Sequence, residues 1–171
     1  LNVAIGELAL GAAVTTGKCN IAIGQATMDA LTSGVDNVAL GKNALGASTT
    51  GCLNIAIGLQ AMGATDTTGT NNVAIGVQSM DALTTGLCNV AIGRDALSAS
   101  TTGCYNVAIG DLALGTSTTG CENIAIGELA MGVGIVTGVC NIAIGSNTMD
   151  ALTDGDENIA VGMCALSAST T

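Results

Sequence analysis

A five-residue pattern of alternating side chains recurs ten times along the chain and sets its organisation. Each copy runs Asn, Val or Ile, Ala, a second aliphatic residue and Gly, as in residues 123–127. Alternation with a period of two is typical of a short β-strand, and Gly provides the backbone freedom for a corner. The copies follow one another every 17 or 18 residues and begin at Asn2, Asn20, Asn37, Asn54, Asn72, Asn89, Asn106, Asn123, Asn141 and Asn158.

The repeats differ in length at one place only. An extra residue lies between the Leu or Met and the next Gly in 10–17, 62–69 and 131–138. After the corner Gly, the segment ending in Ala-Leu or Ala-Met predicts a second short extended run, and Thr-Gly closes the repeat. Gly at two fixed places and the β-branched residues argue against a helix.

The pattern therefore predicts an all-β protein, a parallel β-solenoid (β-roll) of ten coils with two short strands each. Stacked coils rise by one strand spacing, about 4.8 Å, which gives a rod of about 48 Å.

Stacking places equivalent residues of successive coils in columns. The Asn column predicts a structural ladder of amide hydrogen bonds. The third position of the motif never varies, whereas the residues after the corner Gly do, so a fixed Ala indicates close packing. Because a lone stack looks thinly packed, we expect this column to be an oligomer interface, buried against partner copies. It comprises Ala4, Ala22, Ala39, Ala56, Ala74, Ala91, Ala108, Ala125, Ala143 and Ala160.

Composition excludes several classes of partner. Thirteen acidic and three basic residues give a net charge of -10, which repels phosphate and disfavours nucleic acid. Tyr105 is the only aromatic residue, so no stacking platform for sugars or bases exists. No apolar stretch of about 18 residues is present, so we expect no membrane insertion. Because both ends interrupt a repeat, we expect 1–171 to be a single repeat array and a fragment of a longer protein.

The residue types argue against catalysis. The chain contains no His, so neither a Ser-His-Asp nor a Cys-His arrangement exists. Residues 11–19 resemble a phosphate-binding loop but have one spacer residue too many and Cys where Ser or Thr binds magnesium. Asp29, Asp81 and Asp150 occupy one slot in coils three or four apart, too distant for paired-carboxylate chemistry. We predict no enzyme and no cofactor.

One acidic cluster lies near the end of the chain. It comprises Asp150, Asp154, Asp156 and Glu157. Carboxylates are calcium ligands, but the calcium-binding nonapeptide repeat is absent, so a solvated corner is the preferred interpretation. We predict no metal site.

The seven cysteines lie mostly in the corner between Thr-Gly and Asn. Cys104 and Cys121 occupy the same corner position of adjacent coils, so their Cα atoms should lie about 4.8 Å apart, within the range for a disulfide. They form the candidate disulfide. Diagonal pairs, links between chains or burial as small apolar side chains remain open for the others. A zinc site is disfavoured because neither C-x-x-C nor His occurs.

The consensus N-V-A-I-G-x-x-A-L-x-x-x-T-T-G resembles the head repeats of trimeric autotransporter adhesins, which carry S-V-A-I-G. In length it is closer to the N-T-A-I-G-x-x-A-L-x-x-x-T-T-G repeats of tail-fibre-like proteins of phages, large algal viruses and some bacteria. This chain departs from them by its corner cysteines and by Val or Ile where Thr is frequent. The resemblance implies a homotrimer in an extracellular, cell-surface or virion-surface appendage.

These observations predict a structural shaft that presents a binding tip located in another domain, through which a host or surface receptor is bound. One alternative is a self-polymerising filament, because open strand edges invite pairing. The other is an ice-binding solenoid that uses a Thr column, although adjacent Thr residues point opposite ways and leave a single outward column. That column comprises Thr16, Thr50, Thr68, Thr85, Thr102, Thr119 and Thr137.

Overall fold

The computed structural model describes residues 1–11 and 14–169, which form one continuous stack of coils. Each coil contributes one three-residue strand and the described residues contain no helix. The strands are β1 Val3–Ile5, β2 Ile21–Ile23, β3 Val38–Leu40, β4 Ile55–Ile57, β5 Val73–Ile75, β6 Val90–Ile92, β7 Val107–Ile109, β8 Ile124–Ile126, β9 Ile142–Ile144 and β10 Ile159–Val161. The predicted β-solenoid is confirmed. Part of the first insertion (12–13) and the last two threonines (170–171) lie outside the described residues.

The strands form one parallel sheet in sequential order, from β1 to β10. Register is set by the motif, so that Ala74 pairs with Ala91 and Val73 with Val90. Each corner Gly has a φ between 123° and 141°, a region that L side chains rarely adopt. The motif therefore ends where the sequence predicts a corner.

The predicted second strand of each coil is wrong. The segment after the corner Gly is a turn in which the second and fourth residues are left-handed, for example Leu112 at φ 56° and Leu114 at φ 48°. The N–H groups of these two left-handed residues point to opposite neighbouring coils. Leu112 donates to Arg94 O of the preceding coil and Leu114 to Ala130 O of the following coil, both at 2.9 Å. This ladder offsets the cost of left-handed Leu and Met, about 1–2 kcal/mol per residue.

The interior is narrow and is filled by stacked columns of side chains. In the coil that starts at Asn106, the strand residue Ala108 and the turn residues Ala113 and Leu114 are fully buried. Equivalent positions are buried throughout the central coils, with Leu or Met facing Ala. A larger residue in the strand column would collide with the opposite wall, since protein interiors are close-packed.

The interpretation of the Ala column as an oligomer interface is wrong. From Ala22 to Ala160 this column lies in the chain's own core at 0 to 4% exposure, and only Ala4 of the first coil is exposed. The fixed Ala did indicate close packing, but the packing partners are the Leu and Met side chains of the same coil stack. Because strand residues alternate, the branched residues on either side of Ala face outwards.

Each longer coil is followed by a coil of one type. The coils that start at Asn2, Asn54 and Asn123 carry the extra residue, and the next coil contains Met-Asp-Ala-Leu. The hydroxyls of Thr65 and Thr67 donate to Leu83 O at 2.8 and 2.9 Å. In the third case, the insertion's N–H groups at 133 and 134 donate to the carbonyl of residue 150. The Met-Asp-Ala-Leu coil therefore supports the insertion of its neighbour.

In one interior column, a buried serine hydroxyl finds a hydrogen-bond acceptor only where the next coil is a longer one. Three buried serines occupy this column, and Ser48 Oγ donates to Thr67 O at 2.6 Å while Ser117 Oγ donates to Val136 O at 3.1 Å. Both acceptors belong to longer coils. Ser100 stacks on another serine coil, and its buried Oγ has no hydrogen-bond partner.

Replacing Ser100 with alanine should therefore stabilise the protein. Removing an unsatisfied buried hydroxyl is expected to raise the free energy of unfolding by about 1 kcal/mol, whereas S48A leaves a buried carbonyl unpaired and should lower it by about 1–3 kcal/mol. Urea denaturation followed by circular dichroism measures both. Equal effects of the two substitutions would contradict the assignment of the unpaired hydroxyl.

Candidate functional site

The ten asparagines form a continuous ladder through the stack. From Asn20 onwards, the backbone N–H of each donates to Oδ1 of the asparagine one coil earlier, at 2.9 to 3.0 Å. In most coils Nδ2 donates to the same Oδ1, as between Asn89 and Asn72 at 3.1 Å. Asn54 and Asn123, in the longer coils, make the backbone bond to the preceding Oδ1. The ladder thus joins neighbouring coils at one corner.

The same side chain also closes its own coil. From the first to the ninth coil, Nδ2 donates to the carbonyl of the Gly that ends the coil, as from Asn89 to Gly103 O at 2.8 Å. Asn has both the acceptor and the two donors that this geometry needs, whereas Asp has no donor when ionised. The role of this column is structural, and it closes each coil.

Two outward columns of the sheet form an extended apolar face. One column comprises Val3, Ile21, Val38, Ile55, Val73, Val90, Val107, Ile124, Ile142 and Ile159. The other comprises Ile5, Ile23, Leu40, Ile57, Ile75, Ile92, Ile109, Ile126, Ile144 and Val161. All twenty are exposed or half-buried, and none of the twenty positions is charged or polar. Sequence reasoning placed these residues correctly on a strand but assigned the opposite side as the contact surface.

The face is a contiguous apolar surface that runs the length of the stack. Ten strands at a spacing of about 4.8 Å and two side-chain columns about 7 Å apart give an apolar strip of roughly 340 Å². The largest apolar patch on a typical monomer is about 300–600 Å² and often serves binding. The strip lengthens with every coil, and it is the candidate contact surface of the described residues.

The predicted Thr column lies on the corner before the Thr-Gly glycine. Its seven threonines are exposed, whereas the preceding threonines of the shorter coils are half-buried. Thr84 and Thr101 donate their hydroxyls to the next coil's backbone at 2.9 and 3.3 Å, and Thr32, which precedes Ser33, does so at 3.0 Å. A single exposed column runs along this corner, and its members in the longer coils, Thr16, Thr68 and Thr137, also donate their hydroxyls to the next coil's backbone at 3.2 to 3.4 Å.

The charged residues make few contacts. Arg94 bridges Asp95 at 2.9 Å and Asp111 of the next coil at 2.5 Å on an exposed surface. Burial raises the pKa of Asp81, which faces the insertion of the preceding coil, while N–H groups of that insertion and the side chain of Gln78 oppose the shift. The half-buried position of this carboxyl is consistent with support of the insertion, not with paired-carboxylate chemistry.

The acidic cluster does not converge on a centre. Asp154, Asp156 and Glu157 are exposed, and Asp156 Oδ1 accepts the N–H of Val139 at 2.8 Å. Across 1–11 and 14–169, no three His, Cys, Asp or Glu side chains are placed to hold a metal ion. Lys18 of the segment that resembles a phosphate loop is exposed on the corner.

All seven cysteines are free thiols, so the predicted disulfide between Cys104 and Cys121 is not formed. The two residues do lie in adjacent coils, and Cys104 N–H donates to Cys121 Sγ at 3.2 Å. Each sulfur instead contacts the carbonyl two residues before it, at 3.3 Å in Cys104 and 3.5 Å in Cys121. The prediction considered Cα separation alone, whereas equivalent side chains of stacked coils point in parallel directions.

The described coils contain no pocket, and none of their segments is a helix that could cross a bilayer. Comparison of the chain with family models, with curated proteins and with solved structures gives no match.

Proposed function

We propose that this chain is a non-enzymatic structural shaft of an extracellular or virion-surface fibre, in which copies of the chain associate through the apolar face. The observation that carries the proposal is the uninterrupted strip of twenty outward aliphatic residues along a stack that is otherwise closed by its own hydrogen bonds. Because every coil contacts only its neighbours, the stack is an elongated rod whose length increases with the number of coils. The binding tip belongs to another domain of the parent protein.

Self-association through the apolar face depends on the area of the face and on its charge. The strip of roughly 340 Å² for ten coils is smaller than the about 800 Å² per partner of a stable interface, but the area available for burial grows with every coil of a longer array. The net charge of -10 disfavours contact between copies, but the face itself carries no charge. The resemblance to trimeric adhesin and tail-fibre repeats favours three copies around a shared axis.

Lysine substitutions on the apolar face test this proposal. The chain should sediment as a trimer, and a variant with I92K and I109K in central coils should sediment as a monomer with an unchanged circular dichroism spectrum. Burying an unpaired charge at an interface costs several kcal/mol, enough to dissociate a moderate complex. The control T102K places the same charge on the exposed Thr corner and should remain trimeric. A wild-type chain that is monomeric at all concentrations overturns the proposal.

The ice-binding alternative rests on the exposed Thr column. Thermal hysteresis of the folded protein measures it directly, and T102K would abolish such activity while leaving self-association intact. Electron microscopy of the parent protein distinguishes a tipped fibre from an open filament.

A further inference from the structure

We propose that Cys104 and Cys121 form a two-coordinate site for a soft monovalent metal ion of the Cu(I) class. The site lies on the corner of two adjacent coils, outside the apolar face, and does not depend on the proposed function. Both thiols are half-buried, which leaves them accessible to an ion.

The two sulfurs are held in equivalent positions. Each contacts the carbonyl two residues earlier in its own coil, and Cys52 makes the same contact with Thr50 O at 3.3 Å. The corner backbone is paired between the coils, since Glu122 N–H donates to Cys104 O at 2.9 Å. Equivalent side chains on a paired backbone lie one stack rise apart, so the sulfurs are separated by about 4.8 Å.

This separation disfavours a disulfide and fits a bridging ion. A disulfide requires sulfurs at about 2.05 Å and Cβ atoms at about 3.5–4.5 Å, whereas parallel stacked Cβ atoms lie about 4.8 Å apart. Two metal–thiolate bonds of about 2.3 Å placed in line span about 4.6 Å. Soft thiolates favour Cu(I), zinc and iron–sulfur clusters, and of these zinc takes four ligands, so two thiolates alone fit Cu(I). Binding replaces two S–H bonds with two S–metal bonds and releases both protons to solvent, with no change in oxidation state.

The surroundings single out this pair. The Cys104 N–H that points at Cys121 Sγ supplies the kind of outer hydrogen bond that orients a metal-bound ligand. Cys140, in the next coil, is 3.5 Å from Glu122 Oε2, and this hydrogen bond together with nearby acidic groups raises the pKa of its thiol. A raised pKa disfavours the thiolate that binds metal. Cys52 is flanked in its column by Val35 and Thr70 and has no neighbouring thiol.

Silver(I), which is redox-inert and has the same ligand preference, is the probe for this site. The full chain is prepared reduced, with Cys19, Cys52, Cys88, Cys140 and Cys164 replaced by Ser, and is titrated with silver nitrate under native mass spectrometry. One tightly held ion per chain is expected. Adding C104S or C121S should weaken binding by more than the about 10–100-fold that follows loss of an outer hydrogen-bonding partner.

A separated pair provides the matched control. A chain that keeps only Cys52 and Cys104 has two thiols in the same column, three coils apart, and should hold no ion with comparable affinity. Equal affinity of the adjacent and separated pairs overturns the proposal. It is also overturned if the adjacent pair gives a species that is two hydrogen masses lighter than the reduced chain and holds no silver, because the thiols then form a disulfide.

Discussion

Replacing Asn72 with aspartate is expected to lower the free energy of unfolding by about 4 kcal/mol or more. Asn72 is fully buried, and its Nδ2 donates to Asn54 Oδ1 at 3.1 Å and to Gly86 O at 3.0 Å. N72D removes both donors and places a carboxylate oxygen against two acceptors. Asn54 Oδ1 keeps the backbone N–H of residue 72, but Gly86 O is left unpaired at a cost of about 1–3 kcal/mol, and the uncompensated buried charge costs more.

The neighbouring residue provides the control for this substitution. Asn71 is exposed and its Nδ2 contacts only Thr70 Oγ1 at 3.3 Å, so N71D should change stability by no more than about 0.5 kcal/mol. Both variants change one amide to one carboxyl, one position apart. Denaturant unfolding of the two variants compares the loss of a buried amide in the ladder with the loss of an exposed amide beside it. Equal losses would show that the amide ladder does not stabilise the stack.

The cost of N72D should depend on pH in a defined direction. Burial against acceptors raises the pKa of the new carboxyl in the folded state above its unfolded value of about 3.9. Folding then favours the protonated form, so the variant is most stable below the unfolded pKa and loses stability as pH rises through the folded pKa. The difference between N72D and the wild type should therefore shrink at acid pH.

A methyl group on a corner glycine is expected to be similarly damaging. Gly93 has a φ of 138°, and a Cβ added there would lie 2.6 Å from the carbonyl carbon of Gly110 and still closer to its oxygen. The backbone strain costs about 1–3 kcal/mol, and forcing the coils apart adds about 1–3 kcal/mol or more. We expect G93A to lower the unfolding free energy by at least about 3 kcal/mol in denaturant titrations.

Two other glycines separate the contribution of backbone strain from that of the collision between coils. Gly162 has a φ of 123° but no atom within 4 Å of an added Cβ, so G162A retains the strain and lacks the collision. At Gly46, where φ lies outside the left-handed region, an added Cβ would lie 3.2 Å from Asn43 O, and the equivalent residue of another coil is Ser98. G46A should be nearly neutral. Comparable losses in G46A and G93A would contradict the close approach of corner backbones.

Features governed by a short, strict pattern were predictable from sequence. The alternation around Ala predicted the strand, Gly93 and its equivalents predicted the corner, and the recurring Asn predicted the amide ladder. The variable spacing between the Leu or Met and the next Gly predicted where insertions occur. These features follow from the chemistry of one residue type in one repeated environment, so a single repeat contains the information.

Features that depend on contacts between coils were not predicted. The alternation at Ala108 fixes two faces but not which one is interior, since that depends on the width left by Leu114 and Met131 of the opposite wall. The left-handed backbone at Leu114 contradicts the residue's own preference and is held by hydrogen bonds to neighbouring coils. The support of insertions by Met-Asp-Ala-Leu coils was missed, although its signal is present: each such coil directly follows a longer repeat.

The pairing of longer coils with supporting coils bears on how such a molecule changes length. The longer coils that start at Asn2 and Asn54 are 52 residues apart, and each begins a group of a longer, a supporting and a serine-type coil. The second group contains one additional serine-type coil before the longer coil at Asn123. Duplication or loss of serine-type coils, or of whole groups, leaves every insertion supported, whereas deletion of a supporting coil does not. Gene rearrangements that add or remove such groups of coils would change the length of the rod and leave the stacking of the remaining coils intact.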